Sequence, residues 1–291
     1  MRKTKGERIF GYCNGLFLTV LCITMLYPLI YVTAASFSDP IKFMTHRGPL
    51  LKSLGFTLDA YKLVFDNPNI STGYRVTLFV VPVGTALNML LTLLGAYFLS
   101  RRGSLWVRPV MLLVTFTMFF SGGMIPLYLV VRQVGLYDNI WALILPSAVS
   151  TYNMIIMRTS LMGIPAELEE SARIDGARDF TILFRILVPV VMPTIAVLIL
   201  FYGVGHWNSW FSAMLYLRRH ELYPLQLILR EILIQNNTDS MLMDIATDRR
   251  QFVTLIVKYA VIVISTFPIL CLYPFLQRYF VKGVMVGSLK G

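Results

Sequence analysis

Charge is scarce in this chain: Asp, Glu, Lys and Arg supply only 14% of its 291 residues, against 56% that are hydrophobic. Soluble globular domains carry about 25% charged residues and about 45–50% apolar ones. So few charges cannot cover the surface of a water-facing domain, and lipid is the solvent that fits the composition. Cysteine is nearly missing as well. Cys13, Cys22 and Cys271 lie in or beside apolar runs with no C-x-x-C spacing, which excludes a disulfide framework and a zinc ribbon. His46, His206 and His220 are too scattered for a metal site or a proton relay, and no H-E-x-x-H occurs. No Gly-Lys dipeptide is present either, so the loop G-x(4)-G-K-[ST] that cradles a triphosphate is absent. Any ATP chemistry belongs to another chain. Acidic residues are the rarer sign, leaving a formal net charge of +11. In a soluble protein that balance would point to nucleic acid. Here the basic residues sit between apolar stretches, where they signal orientation in a membrane, and no nucleic-acid partner is expected.

What is present is apolar length. Six stretches can cross a bilayer core of about 30 Å, which takes about 20 helical residues: Phe10–Ser36, Tyr74–Leu99, Val107–Val131, Ile140–Met157, Leu187–Ala213 and Phe252–Phe275. The first follows Arg2, Lys3, Lys5 and Arg8. Its apolar run is far longer than the core of a cleavable signal, so it reads as an anchor that stays. Pro28, Pro82, Pro126, Pro146, Pro193 and Pro268 fall within the spans, where neighbouring groups can satisfy the carbonyls they free. The basic arm and the Arg101–Arg108 turn contrast with the outer turn holding Arg132 and Asp138, which places both termini in the cytoplasm. Two long outer segments, Phe37–Gly73 and Met214–Gln251, have room for surface helices. The expectation is an all-α, multi-pass membrane protein built as one domain over residues 1–291.

One inner connection does not read as a passive loop. From Gly163 to Ala177 the sequence is GIPAELEESARIDGA. Pro165 suits the first position of a helix. Glu167, Glu169 and Glu170 lie near the positive end of its dipole and Arg173 near the negative end, with Arg173 placed to pair with Glu169 and Glu170. Gly176 ends the helix as a left-handed residue. Leu168, Ser171, Ala172 and Asp175 form a narrow stripe of small residues on one face. A helix this short is marginal alone in water, and it is too acidic and too poorly apolar to lie flat on lipid headgroups. It reads as a plug for a socket on another protein.

Glu170-Ser171-Ala172-x(3)-Gly176, then nine residues, then Ile186-x-Val188-Pro189 resembles the EAA loop of ATP-binding-cassette importer permeases, E-A-A-x(3)-G-x(9)-I-x-L-P. Ser171 replaces the first Ala and Val188 the Leu, both small changes, and the segment spans residues 163–189. Six spans, inner termini and a motif after the fourth span resemble the sugar-permease subfamily typified by the second permease subunit of maltose importers. Phe120–Tyr128 and Trp207–Phe211 are similar to permeases for oligosaccharides from plant polysaccharides. The resemblance implies the type I importer permease fold, in a bacterial cell membrane, with a coupling helix between spans four and five. It implies a partner permease in a heterodimer, two cytosolic ATPase subunits that hold ATP and magnesium, and an extracellular or periplasmic sugar-binding protein. It further implies that the chain is not itself an enzyme and carries no cofactor. Glu167, Leu168, Glu170, Ser171, Ala172, Asp175, Gly176 and Ala177 would engage the ATPase. Glu170 would make the charged contact, Ala172 would allow close approach, and Gly176 would set the turn.

Sugar contacts are less marked. Trp207, Trp210 and Met214 recur on one helical face beside His206 and Asn208; they fit either a sugar platform or an aromatic belt at the headgroups. Asn88 and Asn153 are intramembrane amides that either line a path or bridge helices. An ion-coupled transporter would call for a buried ionisable group or an internal repeat, and neither is seen. A membrane-embedded enzyme would need a nucleophile–base pair or metal ligands within the spans. A permease of this family for a solute other than sugar remains an alternative.

Overall fold

The computed structural model describes residues 4–101, 105–234, 253, 255–271 and 274. The described residues are helical, and the sole strand-like pairing among them is an isolated bridge between Ser38 and Phe56. Arg2, Lys3 and Arg102, the ends of the sixth predicted span and the later part of the predicted Met214–Gln251 segment lie outside the described residues. The chain divides into two compact units.

The first unit comprises Met1–Ile70 and Leu229–Phe267. It opens with α1 (Lys5–Ser36), begun by a capping box in which Thr4 and Glu7 each bond the other's backbone N–H. Its 32 residues rise about 48 Å. Only Ala34, Ala35 and Ser36 are buried, and the apolar run from Phe10 to Ile30 is exposed. Such a surface belongs in lipid or against a partner. The Phe37–Gly73 segment then includes α2 (Pro40–Thr45), capped by the Asp39 carboxylate, and α3 (Asp59–Asp66). Phe37 stacks on Tyr61 at 4.8 Å, and Tyr31, Phe43 and Tyr259 meet edge to face.

The second unit comprises Ser71–Ile228 and Pro268–Gly291. It contains most of α4 (Pro68–Ser100), then α5 (Val107–Phe119), α6 (Met124–Gln133), two short 3-10 turns (Ile140–Leu143, Leu145–Ser147), α7 (Thr151–Met162) and α8 (Ala166–Ile174). A single turn, α9 (Asp179–Thr181), runs into a π-helix at Ile182–Leu187 and then α10 (Val188–Val190). The chain continues through α11 (Met192–Trp207), α12 (Trp210–Tyr216) and α13 (Leu225–Ile234), which crosses into the first unit; α14 is Leu255–Cys271. Leu93, Ala96 and Leu99 of α4 pack on Met157 and Leu161 of α7 and on Leu183, Leu187 and Leu198.

Among the described residues, α1 and α4 are long and apolar enough to cross a bilayer unbroken. Three other predicted spans are bent pairs: α5 and α6 meet at 116°, the 3-10 turns and α7 at 50°, and the α9–α10 stretch and α11 at 87°. Proline alone does not place the breaks, because Pro28 and Pro82 sit inside continuous helices. The Val107–Val131 stretch breaks at Gly122-Gly123, where Gly123 has φ +83, a conformation that glycine adopts without steric cost. The Leu187–Ala213 stretch bends at Val191, between Pro189 and Pro193, and breaks again at Asn208-Ser209. Pro189 has no N–H to bond the Arg185 carbonyl and its ring crowds that carbonyl, and the turn before it is wound as a π-helix.

Asp138 ties the connection after α6 to the end of α12. It has φ 56, a left-handed conformation that Asp tolerates. Its N–H donates to the Tyr216 carbonyl at 2.8 Å. Its carboxylate accepts from the N–H of Arg218 at 2.9 Å, the N–H of Arg219 at 3.1 Å and the Arg219 Nε at 2.9 Å. These backbone donors, with the Arg219 guanidinium, hold the carboxyl below its ordinary range. The pair therefore stabilises the fold above the ordinary carboxylate range, and that contribution is lost as the pH falls through the lowered value. Asp138→Ala is expected to lower the melting temperature of the detergent-solubilised protein, Asp138→Asn less so. Melting curves against pH should show the gap between wild type and Asp138→Ala closing on acidification.

Candidate functional site

The acidic segment forms α8, one residue later than the sequence predicts: Pro165 is the N-cap, with ψ 135, and the helix starts at Ala166. The residue before the first helical turn is extended, and proline fits that as well as it fits the first turn. Its C-terminus is a complete Schellman motif. The Ala177 N–H donates to the Ala172 carbonyl at 2.9 Å and the Gly176 N–H to Arg173 at 3.0 Å, with Gly176 at φ +80. A Cβ on Gly176 would meet nothing within 4 Å, so backbone conformation, not space, demands glycine there.

The outward face of α8 differs from the predicted stripe. Ala172 is 7% exposed and packs into this chain's own core beside Leu161 and Ile182, so it cannot admit a partner. Glu167, Leu168, Glu170, Ser171 and Asp175 face outward as expected. Ile174 joins them at 87% exposure, a residue that sequence reasoning missed because the small-residue stripe excluded it. Phe180 and Phe184, stacked with centroids 6.4 Å apart, are exposed just beyond. The ion pairs also differ. Arg173 binds Asp179 at 2.8 Å, and Glu169 pairs with Arg101 beyond the end of α4. Burial lifts the Glu169 carboxyl above its ordinary range, opposed by Arg173. Ser100, Arg101, Glu167, Glu170 and Arg173 border an open polar recess of about 760 Å³.

A second polar feature lies among the spans. Asn88 Nδ2 on α4 donates to the Ser147 carbonyl at 2.7 Å, and Asn88 Oδ1 lies 3.0 Å from His206 Nε2 on α11. In that orientation the amide oxygen can only accept, so Nε2 carries the proton. One turn along α4, Thr92 and Tyr202 share a hydroxyl bond at 2.7 Å, and Tyr202 Oη accepts from the Ser150 N–H at 3.2 Å. Asn88, Tyr202, His206, Ser147 and Ser150, together with Asn153, Asn208 and Phe211, line a cavity of about 410 Å³, and no Lys, Arg, Asp or Glu is among the described residues that line it. Asn88 thus both bridges helices and faces the cavity. Asn153 caps no partner helix but lies in the same wall, its N–H bonded to Ser150 Oγ at 3.4 Å. The Trp stripe is not formed, because the Asn208-Ser209 break turns α12 away from α11. Trp207 is 5% exposed with its Nε1 buried and unbonded, whereas Trp210 is 37% exposed and edge-on to Phe211. Tyr202, Ser147 and Ser150 are not singled out by the sequence, and His206 only as a neighbour of the tryptophans, because the partners that bring them together are distant in the chain.

Gly84 makes the Asn88–His206 contact possible, since a Cβ there would lie 2.5 Å from His206 Nε2. Gly84→Ala is expected to cost about 1–3 kcal/mol through overpacking, read as a lower melting temperature. Combining it with His206→Ala removes the clash, so the double variant should lose less than the two single losses summed.

Residues 88–286 match the family described as binding-protein-dependent transport system inner membrane component. Protein LplC of Bacillus subtilis (strain 168) is 42% identical over 294 residues, covering 100% of this chain and 98% of that protein. The polygalacturonan/rhamnogalacturonan transport system permease protein YtcP of the same organism is 42% identical over 285 residues, covering 98% and 99%. Among solved structures, a bacterial ABC transporter involved in the import of the acidic polysaccharide alginate superposes with a TM-score of 0.86 at 30% identity, over 96% of this chain and 99% of that one. The matched residues run from Asn88 through the cavity wall, α8 with its glycine cap, the π-helix and α11. This chain belongs to the family of inner-membrane permease components of binding-protein-dependent ABC transport systems.

Proposed function

We propose that the chain is one of two permease subunits of a bacterial ABC importer for an oligosaccharide, coupled through α8 to a separate ATPase. Two-faced α8 is the observation that carries this reading. One face is locked into the subunit through Ala172 and Glu169; the other offers Leu168 and Ile174, with Glu167, Glu170, Ser171 and Asp175 around them. An apolar pair ringed by carboxylates and a hydroxyl suits a protein socket with basic rims better than lipid. ATP and magnesium reside on that ATPase.

In this reading the chain crosses the inner membrane six times: α1, α4, α5 with α6, the 3-10 turns with α7, α9 through α11, and the predicted span in which α14 lies. Both termini lie in the cytoplasm. The contacts agree with it. Arg101 and Glu169 fall on the inner side and pair with each other; Asp138 and Arg219 fall on the outer side and do likewise. A second permease completes the path, and a sugar-binding protein delivers cargo from outside. The cavity supplies hydrogen bonds from Asn88, Asn153 and Asn208, which suit hydroxyl groups, while Phe201 and Phe211 offer ring faces; the tryptophans, Trp207 and Trp210, lie outside its lining. Cargo is passed on because the two packings of the bundle hold it differently. The bacterial relative named for polygalacturonan and rhamnogalacturonan supports a pectin-derived oligosaccharide as cargo.

A photocrosslinker at Leu168 or Ile174 should capture a cytosolic ATPase in intact cells; transport without such capture overturns the reading. Valine at position 176 must enter the left-handed region at a cost of about 1–2 kcal/mol, so Gly176→Val should insert normally yet take up cargo about tenfold more slowly. Uptake by a deletion strain of labelled oligosaccharides from polygalacturonan, rhamnogalacturonan, arabinan and maltodextrin identifies the cargo.

A further inference from the structure

The inner end of α4 holds α8 through a closed ring of contacts that the chain's connectivity does not require. The Arg101 guanidinium carbon lies 3.8 Å from the centre of the Tyr97 ring, a cation–π distance. On its other side Arg101 pairs with Glu169 of α8. The Tyr97 hydroxyl donates to the backbone oxygen and the carboxylate of Asp179, at 3.3 Å each. Asp179 in turn binds Arg173 near the end of α8. Two points on either side of the Gly176 turn are thus fastened to one turn of α4. The pair is not an ordinary surface contact, because the Arg101 and Glu169 side chains are only 21% and 24% exposed. A terminal nitrogen of Arg101 is buried without a partner, so removing Glu169 would leave a largely desolvated cation uncompensated. Arg158 secures the same end of α4 by donating from Nε to the Leu99 carbonyl at 2.9 Å.

We propose that Tyr97 and Arg101 are positioning residues that clamp the coupling helix to the second span, so that displacement of α8 is delivered to α4 directly. By covalent connection alone, α8 would pull only on α7 and on the helices after the π-helix. α4 carries Asn88 into the cavity wall and Thr92 onto the Tyr202 hydroxyl, and Asn88 lies nine residues from Tyr97, about 13 Å along the axis. A rigid helix that long carries a push at its inner end to the cavity wall without an intermediary. The clamp rests on the coupling role of α8 proposed above.

The test uses the whole importer, reconstituted in liposomes with its partner permease, ATPase and binding protein, and fed the labelled oligosaccharide that the uptake panel identifies. Tyr97→Phe and Glu169→Gln, each keeping its side chain's shape, are measured singly and together for oligosaccharide carried per ATP hydrolysed and for ATPase retained on purification. The clamp predicts that the double variant keeps its ATPase and hydrolyses ATP, while cargo carried per ATP falls about fivefold, the low end of coupling between sites. The exchange Arg101→Glu with Glu169→Arg should recover much of what Arg101→Glu alone loses. An unchanged ratio in the double variant overturns the clamp, and so does loss of bound ATPase without rescue by the exchange. If wild-type Leu168 fails to crosslink to the ATPase, the coupling role itself falls; a clamp that fails alone leaves that crosslink intact.

Discussion

Inside a bilayer no water is at hand to satisfy a loose N–H or C=O, so a chain that must bend there has to repair each break with its own groups. Much of this structure answers that constraint. At the start of α7, Ser150 caps the helix with its Oγ while its own N–H is taken by the Tyr202 hydroxyl. At the end of α11, Asn208 folds its amide back onto the Val204 carbonyl at 3.0 Å. Beside these repairs, Asn88 holds the Ser147 carbonyl that the 3-10 turns expose. The groups that mend the breaks are the same groups that line the central cavity. Polarity in the middle of the spans thus arises where the backbone is interrupted, and neither purpose needs a charged side chain.

Charge is concentrated instead where water is available, and there it joins segments distant in sequence. Glu169 and Arg101 are separated by 68 positions, and Asp138 and Arg219 by 81. Each pair works alongside fixed backbone geometry: a glycine-capped helix end at Gly176 in one case, a left-handed aspartate in the other. Backbone donors and ring stacking supply the directionality that a bare ion pair lacks. The inner cluster thereby gives α8 a defined orientation, which a nine-residue helix would not hold in water by itself.

Features written in adjacent residues were legible from the sequence, and features made by convergence were not. Pro165, the early glutamates and Gly176 announce α8 within a residue at either end, because capping depends on nearest neighbours. Ala172 was assigned the wrong face: a stripe of small residues has too little apolar contrast to reveal its direction, and packing against Leu161 and Ile182 decided it. Arg173 had eligible glutamates one turn away, yet Asp179 captured it once the chain turned at Gly176. The tryptophan stripe assumed helix continuity through Asn208-Ser209, and the break there sends Trp207 inward and Trp210 outward. Gly122-Gly123 carried a visible breaker signal, but the apolar run around it was long enough to read as one span. The pairing of His206 with Asn88 and of Tyr202 with Thr92 has no local sign, since these partners are more than a hundred residues apart.

The bare Ile174 has a cellular corollary. With α8 on the cytoplasmic side, as proposed, a subunit made in excess would hold an isoleucine flag, with Phe180 and Phe184 close behind it, in reach of proteases and chaperones that read greasy surface. Only burial by its companion would hide the flag. On the coupling role proposed for α8, the surface that transmits work would therefore also be a census mark, by which orphan copies are recognised and removed until the components are present in matching numbers.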